Sequence, residues 1–497
     1  MAGSREAAFV PSIAAGDAGD ILDSPDAARI VIRGSALRSI VYLLAVLANV
    51  LALPFLFRHL GVQDSGRYVT VLTVTTLVGA IVETGFGAIS VREYARRGPD
   101  TRPELMSDLI AVRGAALLLS GFVALAFLAA TGYPAIIVVG AAIGILGVFF
   151  EALSSTYSVS LTSSLRLGWM ASLQILRQTV AVVLTLALIV LDAPLVYFFA
   201  ILVAAGAAQA GGALYATRGT IPHRPSLEWR RSTTLMRTSA AFIAAMALTV
   251  IYFRAPMILM PVLSTETETG YLGIPFRLLE IVTLISVLVL SSAFPIIARA
   301  AGSDQARHHY ALLRMSEVSL IIGLYVALVA FVGSPLIVAL LGGPDFEPAS
   351  ALLRILAVSL AAKFVIAAWA FSLLSLDRNV AVLRANVLAT VFAIVLTLAL
   401  VPVLDATGGA LAIVISDVAL MLGYAWALHR SPDPVDLPWA RFGALIGISA
   451  VAATVCLLPV PVPGQLVIAT VVYGIVLWRG GLIPTEISHV LPGRGRG

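Results

Sequence analysis

The sequence predicts an all-α polytopic membrane protein of about fourteen transmembrane helices, arranged as two six-helix lobes plus a C-terminal helix pair. Of its 497 residues, 60% are apolar and only 12% are charged, whereas soluble domains are roughly 45–50% apolar and 25% charged. Apolar runs of about 20 residues recur from about residue 38 to residue 478, and each can cross a hydrocarbon core of roughly 30 Å. Composition therefore excludes a soluble multidomain protein.

The cationic residues fix the expected topology. Of 32 Lys+Arg residues, 25 fall in segments on one predicted side of the membrane, and only Arg58 and Arg67 fall on the other. Because cationic loops stay on the cytoplasmic side, we expect a multi-pass protein of the inner (plasma) membrane with both termini cytoplasmic. This topology accounts for the net charge of +5, so no nucleic-acid partner is expected.

The first half of the chain is predicted to consist of an N-terminal tail followed by a helical lobe. Residues 1–29 are rich in Ala, Gly and Asp, which predicts a disordered cytoplasmic tail. Residues 30–216 form the predicted N-terminal six-helix lobe. Its spans are expected at about 38–57, 68–90, 109–131, 134–155, 179–191 and 194–216. The fifth span is too short to cross unless its helix starts nearer Leu173.

The second half begins with a basic cytoplasmic linker at residues 217–239. The C-terminal six-helix lobe occupies 240–429, an extra helix pair 430–478 and a cytoplasmic tail 479–497. The spans are expected at about 240–263, 270–298, 318–341, 349–376, 384–403, 408–428, 440–460 and 464–478. All predicted external loops are short, which leaves no room for an external catalytic domain.

An internal repeat at an offset of about 204 residues supports the two lobes. Arg33 and Gly66 recur as Arg237 and Gly270, and a late proline recurs, within two residues of register, as Pro54 and Pro256. A parallel repeat of this kind predicts two lobes related by an axis along the membrane normal.

Several short motifs carry a family resemblance. In the first half they are Phe57-Arg58-His59-Leu60-Gly61, Gly66-Arg67-Tyr68, Glu83-Thr84-Gly85-Phe86-Gly87 and Arg92-Glu93-Tyr94-Ala95-Arg96; in the second they are Tyr252-Phe253-Arg254, Gly270-Tyr271, Arg277-Leu278-Leu279-Glu280 and Pro295. From about residue 30 to 430 the chain resembles Wzx-type polysaccharide/oligosaccharide flippases of the multidrug/oligosaccharidyl-lipid/polysaccharide (MOP) transporter superfamily. One departure is Pro256, which stands where many relatives place an acid two residues after the arginine of the seventh span.

The resemblance implies a transporter rather than an enzyme, without cofactor or metal. It would move a polyprenyl-(pyro)phosphate-linked oligosaccharide from the cytoplasmic to the outer leaflet by alternating access. Its implied partners are that lipid-linked glycan, membrane lipids, and the polymerase and glycosyltransferases of polysaccharide assembly. Two alternatives stay open, a peptidoglycan-precursor (lipid II) flippase and a cation-coupled multidrug exporter. A drug exporter should carry a more acidic interior than this chain does.

Five cations fall inside predicted spans, namely Arg113, Arg254, Arg277, Arg354 and Lys363. A charge in hydrocarbon costs several kcal/mol, so such residues usually face a partner or a watery cavity. Guanidinium groups stay charged and donate paired hydrogen bonds to phosphate. The substrate-binding candidates are therefore Arg254, Arg277 and Lys363, followed by Arg354 and Arg58. The alternative is that a carboxylate such as Glu280, three residues after Arg277, neutralises these arginines.

The acidic residues inside spans are candidates for ion coupling. Glu83, Glu280 and Asp417 could bind the coupling ion, although Glu83 could equally pair with Arg92 or Arg113. Pro54 and Pro256 are hinge candidates for alternating access, the alternative being static kinks. We find no catalytic residues, no Walker A sequence and no metal-binding histidine cluster.

Overall fold

The computed structural model describes residues 27–84, 87–164, 166–218, 248–301, 305–376, 378–431, 435 and 437–480. Most of the predicted N-terminal tail (residues 1–26), nearly all of the basic linker (219–239), the predicted start of the seventh span (240–247) and the C-terminal tail from residue 481 lie outside these residues.

The described residues form thirteen α-helices and no strand. They are α1 Ala27–Thr84, α2 Gly87–Arg96, α3 Arg102–Ala130, α4 Ala135–Ser163, α5 Leu167–Val190, α6 Leu195–Ala216, α7 Leu248–Leu263, α8 Glu266–Ala301, α9 Gln305–Leu341, α10 Ala349–Ser375, α11 Asn379–His429, α12 Trp439–Ala453 and α13 Val462–Arg479. Eleven apolar helical segments among them are long enough to cross a membrane, and α7 is a shorter apolar helix.

Helices α1 and α11 each contain two membrane-length arms. With 58 and 51 residues, straight helices would be about 87 and 77 Å long, far beyond a hydrocarbon core of roughly 30 Å. Each is interrupted by one residue with positive φ, Gly61 (69°) in α1 and Asp405 (49°) in α11. Counting the arms separately, the described residues supply the fourteen apolar segments expected from the sequence.

The two arms of α11 run antiparallel. Asn386 Nδ2 in the first arm donates a hydrogen bond to the Tyr424 hydroxyl in the second, at 2.8 Å. A Cβ built on Gly423 would likewise lie 3.6 Å from the Ala385 Cβ. In both pairs the two residues lie at nearly equal distances along the chain from Asp405, as they do in two helices joined by a reversal. The chain therefore reverses at Asp405, where the aspartate carboxylate accepts a hydrogen bond from Ser264 Oγ at 2.7 Å.

The fifth span differs from its predicted bounds. Helix α5 has 24 residues and begins at Leu167 rather than near residue 179. The sequence misled because Gln174, Arg177 and Gln178 resemble a polar loop. In the structure, Arg177 is neutralised by Glu151 of α4 through two hydrogen bonds of 2.7 and 2.9 Å. Arg177 is thus a further cation inside a span.

The two halves of the chain meet at the end that carries the predicted external loops. A Cβ built on Gly66 would lie 2.8 Å from the Gly270 nitrogen and would overlap the Glu266 carbonyl oxygen, while a Cβ on Gly270 would overlap the Val62 carbonyl oxygen. Under the repeat offset of 204 residues, Val62 corresponds to Glu266 and Gly66 corresponds to Gly270. The two close approaches are therefore equivalent under the repeat, as a two-fold axis between α1 and α8 requires.

Polar side chains reinforce this contact. Arg67 Nε and Gln63 Nε2 each donate to Glu266 Oε2 at 2.8 Å, and Arg67 also contacts Asp64 at 2.8 Å. We call Gln63, Gly66, Arg67, Glu266 and Gly270 the outer lock. It joins the second arm of α1 to α8 at one end of the molecule.

The C-terminal helix pair packs on α9. Arg441 of α12 forms an ion pair of 2.9 Å with Glu317, and the Tyr473 hydroxyl of α13 donates to the Ile321 carbonyl oxygen at 2.8 Å. Tyr473 and Leu445 belong to the same buried core as α9 residues such as Leu324. Helices α12 and α13 therefore extend the second lobe.

Candidate functional site

Two arginines and one glutamate form a charged cluster between α7 and α8. Arg254 of α7 pairs with Glu280 Oε1, and Arg277 Nη1 lies 2.6 Å from Glu280 Oε2. Their side chains are 12%, 23% and 12% exposed for Arg254, Arg277 and Glu280. We call these three residues the arginine cluster. One carboxylate faces two guanidinium groups, so the cluster has a net charge of +1.

Aromatic rings support the Arg254 guanidinium. Its Cζ lies 5.4 Å from the centroid of the Phe253 ring and 5.8 Å from that of Phe276. These contacts help to compensate the desolvation of the guanidinium group. Arg277 Nε is buried without a hydrogen-bond partner. Arg277 therefore has one N–H group that no acceptor in the described residues satisfies.

A second charged group lies deeper in the same lobe. Lys363 Nζ of α10 is 2.7 Å from Asp417 Oδ1 of α11, and the side chains are 4% and 2% exposed. The Tyr252 hydroxyl of α7 donates to the same carboxylate oxygen, whereas Asp417 Oδ2 is buried without a hydrogen-bond partner. We call Lys363 and Asp417 the lysine pair.

The structure therefore brings together Arg254, Arg277 and Glu280 and, separately, Lys363 and Asp417. The pairing of Arg254 with Glu280 was the alternative to a free cavity-lining cation, and this conformation adopts it with one positive charge in excess. Lys363 is buried against its carboxylate rather than lining an open cavity in this conformation.

The other two candidate cations lie apart from both groups. Arg354 is exposed and its Nε donates to Ser334 Oγ at 3.0 Å. Arg58 Nη2 donates to the carbonyl oxygens of Ala339 and Leu340, at 3.0 and 2.9 Å. Arg58 thus caps the C-terminal end of α9, beside a cavity of about 550 Å³ that Glu347 and Ser350 also line.

Glu83 belongs to a polar network in the first lobe. It accepts a hydrogen bond from Ser155 Oγ, and Arg113 Nη1 lies 3.8 Å from its carboxylate. Arg113, only 3% exposed, also contacts Ser155 and donates to Thr156 Oγ1 at 2.8 Å. The pairing of Glu83 with Arg113, expected as the alternative to ion coupling, is therefore present.

The hinge candidates lie within continuous helix. Pro54 is inside the first arm of α1, and the backbone leaves helical geometry seven residues later, at Gly61. Pro256 is buried inside α7, two residues after Arg254. Their role as hinges stays a prediction.

The sequence did not single out Tyr252, Arg177 or the ion pair between Arg67 and Glu266. Tyr252 was visible only as part of Tyr252-Phe253-Arg254, and its target carboxylate is 165 residues away. Arg67 and Glu266 lie in separate predicted loops, which gave no signal of contact. Among the described residues, no group of three or more His, Cys, Asp or Glu side chains could hold a metal ion.

Comparison with solved structures shows a transporter fold. The chain is similar to the lipid II flippase MurJ in an inward closed conformation, with a TM-score of 0.75 and 13% identity over 90% of this chain and 100% of that one. It is also similar to a multidrug-resistance MATE transporter of the MOP superfamily in an inward-facing conformation, with a TM-score of 0.64 and 15% identity over 81% and 96% of the two chains. The chain is similar as well to a eukaryotic MATE transporter, AtDTX14, with a TM-score of 0.56 and 15% identity over 82% of this chain and 96% of that one.

Two sequence comparisons gave different results. No curated protein matches the chain. A family model described as polysaccharide biosynthesis protein matches residues 31–301, which is more than half of the chain. The expected Wzx-like resemblance and the helical MOP transporter fold are therefore confirmed. The chain is a multi-pass membrane protein and belongs to the polysaccharide biosynthesis protein family.

Proposed function

We propose that this protein is a flippase that moves a polyprenyl-(pyro)phosphate-linked oligosaccharide from the cytoplasmic to the outer leaflet during cell-surface polysaccharide assembly. The observation that carries the proposal is the arginine cluster, a membrane-embedded site with one positive charge in excess. Arg254 and Arg277 would hold the phosphate groups, because guanidinium donates paired hydrogen bonds to phosphate oxygens. The family and the fold belong to transporters, so no catalysed reaction is needed.

The outer lock supports alternating access. With α1 and α8 in backbone contact at one end, the two lobes can separate only at the other end. The arginine distribution supports a cytoplasmic position for that other end, and with it a cytoplasmic position for both termini at the inner membrane. The substrate would then enter from the leaflet in which lipid-linked sugars are made, and opening of the outer lock would release it. The remaining substrate-binding candidates are Lys363, Arg354 and Arg58, and they would contact the lipid before or after it binds to the arginine cluster.

Lipid II transport is the second candidate, because the likeness to MurJ covers 90% of this chain. Both candidate substrates present a pyrophosphate to the same arginines and differ in their sugars. A multidrug exporter is a weaker candidate, since its cationic drugs would meet the positive arginine cluster.

The experiment is depletion of the protein, followed by measurement of where lipid-linked oligosaccharides accumulate, with a membrane-impermeant probe on oriented vesicles. We expect accumulation on the cytoplasmic leaflet, reversed by the intact protein and not by the variant carrying both Arg254→Ala and Arg277→Ala. Accumulation of lipid II instead would select the second candidate. An unchanged leaflet distribution of both lipids would refute the flippase proposal.

A further inference from the structure

The cavity beside Arg58 lies between the two lobes, at the end of the molecule that carries the outer lock. Arg58 belongs to the first arm of α1, whereas the facing wall consists of the end of α9, the turn after it and the start of α10. The volume of about 550 Å³ falls within the range of roughly 300–1,000 Å³ that is typical of ligand pockets. Neither the arginine cluster nor the lysine pair lines this cavity, so it is a separate site.

Packing against the second lobe fixes the position of Arg58. The preceding residue, Phe57, is fully buried in the same hydrophobic core as Phe346, and their ring centroids are 6.0 Å apart. The aliphatic stem of Arg58 then crosses Gly343, where a Cβ would lie 3.6 Å from Arg58 Cγ. The guanidinium group is therefore held beside the cavity while the lobes are in contact at this end.

Arg58 has hydrogen-bond donors that the cap of α9 does not use. Both bonds to the helix, to the carbonyl oxygens of Ala339 and Leu340, come from Nη2. A guanidinium group also donates from Nε and Nη1, and neither of these nitrogens has a hydrogen-bond partner in the part of the chain that the structure describes. Arg58 can therefore cap the helix and hold an anionic group at the same time.

A carboxylate lines the same cavity without pairing with Arg58. The Glu347 side chain is exposed and has no hydrogen bond or ion pair with any described residue. Ser350, in the first turn of α10, adds a hydroxyl to the lining. The cavity therefore presents one positive and one negative group that are separated from each other, so its polar part has no net charge.

The remaining walls of the cavity are apolar and follow α9 away from its C-terminal end. Pro335 and Val338 line it there, and Pro335 lies about 9 Å along the helix axis from Leu341, the last residue of α9. The cavity is thus polar at the level of the loop and apolar towards the hydrocarbon core. This is the polarity of a phospholipid, from its headgroup to the upper part of its acyl chains.

We propose that this cavity binds a zwitterionic phosphoethanolamine lipid from the leaflet beside the outer lock. The lipid phosphate accepts hydrogen bonds from Arg58, and its ammonium group donates to Glu347. A wholly anionic headgroup leaves Glu347 without a partner and is repelled by it, and a choline headgroup has no N–H to donate. The paired but separated charges of the cavity therefore favour ethanolamine over both.

A lipid in this cavity connects the two lobes. Its phosphate contacts α1, whereas its ammonium contacts the segment between α9 and α10. Both contacts are available together only while the lobes meet at this end, so the lipid binds the closed outer lock more tightly and shifts the population of molecules towards it. This role goes beyond the proposed function, since it requires no transported substrate.

The first test measures which lipid the full-length protein retains. Native mass spectrometry is applied to protein released from nanodiscs that contain equal amounts of phosphatidylethanolamine, phosphatidylcholine and phosphatidylglycerol. We expect bound phosphatidylethanolamine to exceed each of the others by roughly three- to tenfold. Glu347→Gln should abolish this preference over phosphatidylcholine. The matched control is Asp345→Asn, an exposed carboxylate of the same turn that does not line the cavity, and it should keep the preference.

The second test measures closure of the outer lock. Distances between spin labels on α1 and α8, obtained by pulsed electron resonance, should be shorter and more narrowly distributed in nanodiscs with phosphatidylethanolamine than in nanodiscs of phosphatidylcholine alone. In Glu347→Gln the two lipid compositions should give the same distances. The comparison of lipids on the wild type needs no substitution, so it stays informative even if a variant does not fold.

Three results would overturn the inference. They are equal retention of the three lipids or enrichment of phosphatidylglycerol by the wild type, an ethanolamine preference that survives in Glu347→Gln, and distances that do not depend on the lipid. Each of them leaves the flippase proposal standing, because no lipid-linked oligosaccharide is present in either test.

Discussion

Glu280 compensates part of the positive charge of the arginine cluster inside the membrane. It contacts Arg254 with one oxygen and Arg277 with the other. A buried cation without its partner is strongly destabilising, by about 3–5 kcal/mol in soluble proteins. Under the proposed function the same carboxylate would compete with a phosphate for both guanidinium groups, so Glu280 would affect stability and affinity in opposite directions.

Glu280→Gln should therefore destabilise the protein, because it leaves two partly buried guanidinium groups beside a neutral amide. The expected loss is about 3 kcal/mol, seen as a lower unfolding temperature in nanodiscs. The double variant Arg254→Gln with Glu280→Gln removes one of the stranded charges and should recover part of the loss. A single variant as stable as the wild type would show that Glu280 does not compensate the arginines.

The sequence allowed us to single out charged residues inside the spans, but only some of their pairings. Arg277 and Glu280 are three apart on one helix, so their shared face was visible. Lys363 and Asp417 are 54 residues apart on different helices, and both were singled out for separate roles as substrate and ion ligands. Nothing in a single sequence says which of several buried acids meets which cation, because that depends on how the helices pack.

Among the elements, α1 and α8 depend on two glycines at their crossing. Any side chain on Gly66 or Gly270 would meet backbone of the opposite helix, which cannot move aside as a flexible side chain can. The lock can close only if both positions lack a Cβ.

Gly66→Ala should weaken closure of the outer lock and shift the population of molecules towards separation of α1 and α8. Distances between spin labels on the two helices, measured by pulsed electron resonance, should lengthen and broaden. The matched control is Gly114→Ala in α3, where a Cβ would meet no atom within 4 Å. Identical distance distributions in Gly66→Ala and the wild type would contradict the close packing.

The sequence predicted the existence of every apolar span but misplaced the start of α5. Hydropathy identifies long apolar runs, and it fails where a paired charge lies inside a helix, as Arg177 does with Glu151. The breaks at Gly61 and Asp405 were predicted as loops of several residues. In the structure a single residue with positive φ separates the arms.

For the whole molecule, the repeat is the feature that links sequence to mechanism. The offset of 204 residues seen in the sequence reappears as reciprocal contacts at the outer lock. The fold class followed from composition, span length and this repeat. The contacts between the lobes could not be predicted, since they depend on the conformation that the transporter occupies.

Holding the outer lock closed should stop transport. The variant Gln63→Cys with Glu266→Cys, in a Cys456→Ser background, places thiols where a 2.8 Å hydrogen bond joins the lobes. A short bis-methanethiosulfonate cross-linker, which forms a disulfide with each thiol and releases a sulfinate, should abolish lipid movement, and a reducing agent should restore it. The single-cysteine variants treated alike are the controls, and full transport by completely cross-linked protein would contradict alternating access.

The most direct test is transport by the purified protein in proteoliposomes. A fluorescent polyprenyl-pyrophosphate-linked oligosaccharide is placed in both leaflets, and the fraction that becomes accessible to an impermeant quencher is followed over time. We predict rapid exposure of the inner pool with the wild type and slow exposure with the variant carrying Arg254→Ala and Arg277→Ala. Equal rates in vesicles with wild type, variant or no protein would contradict the account.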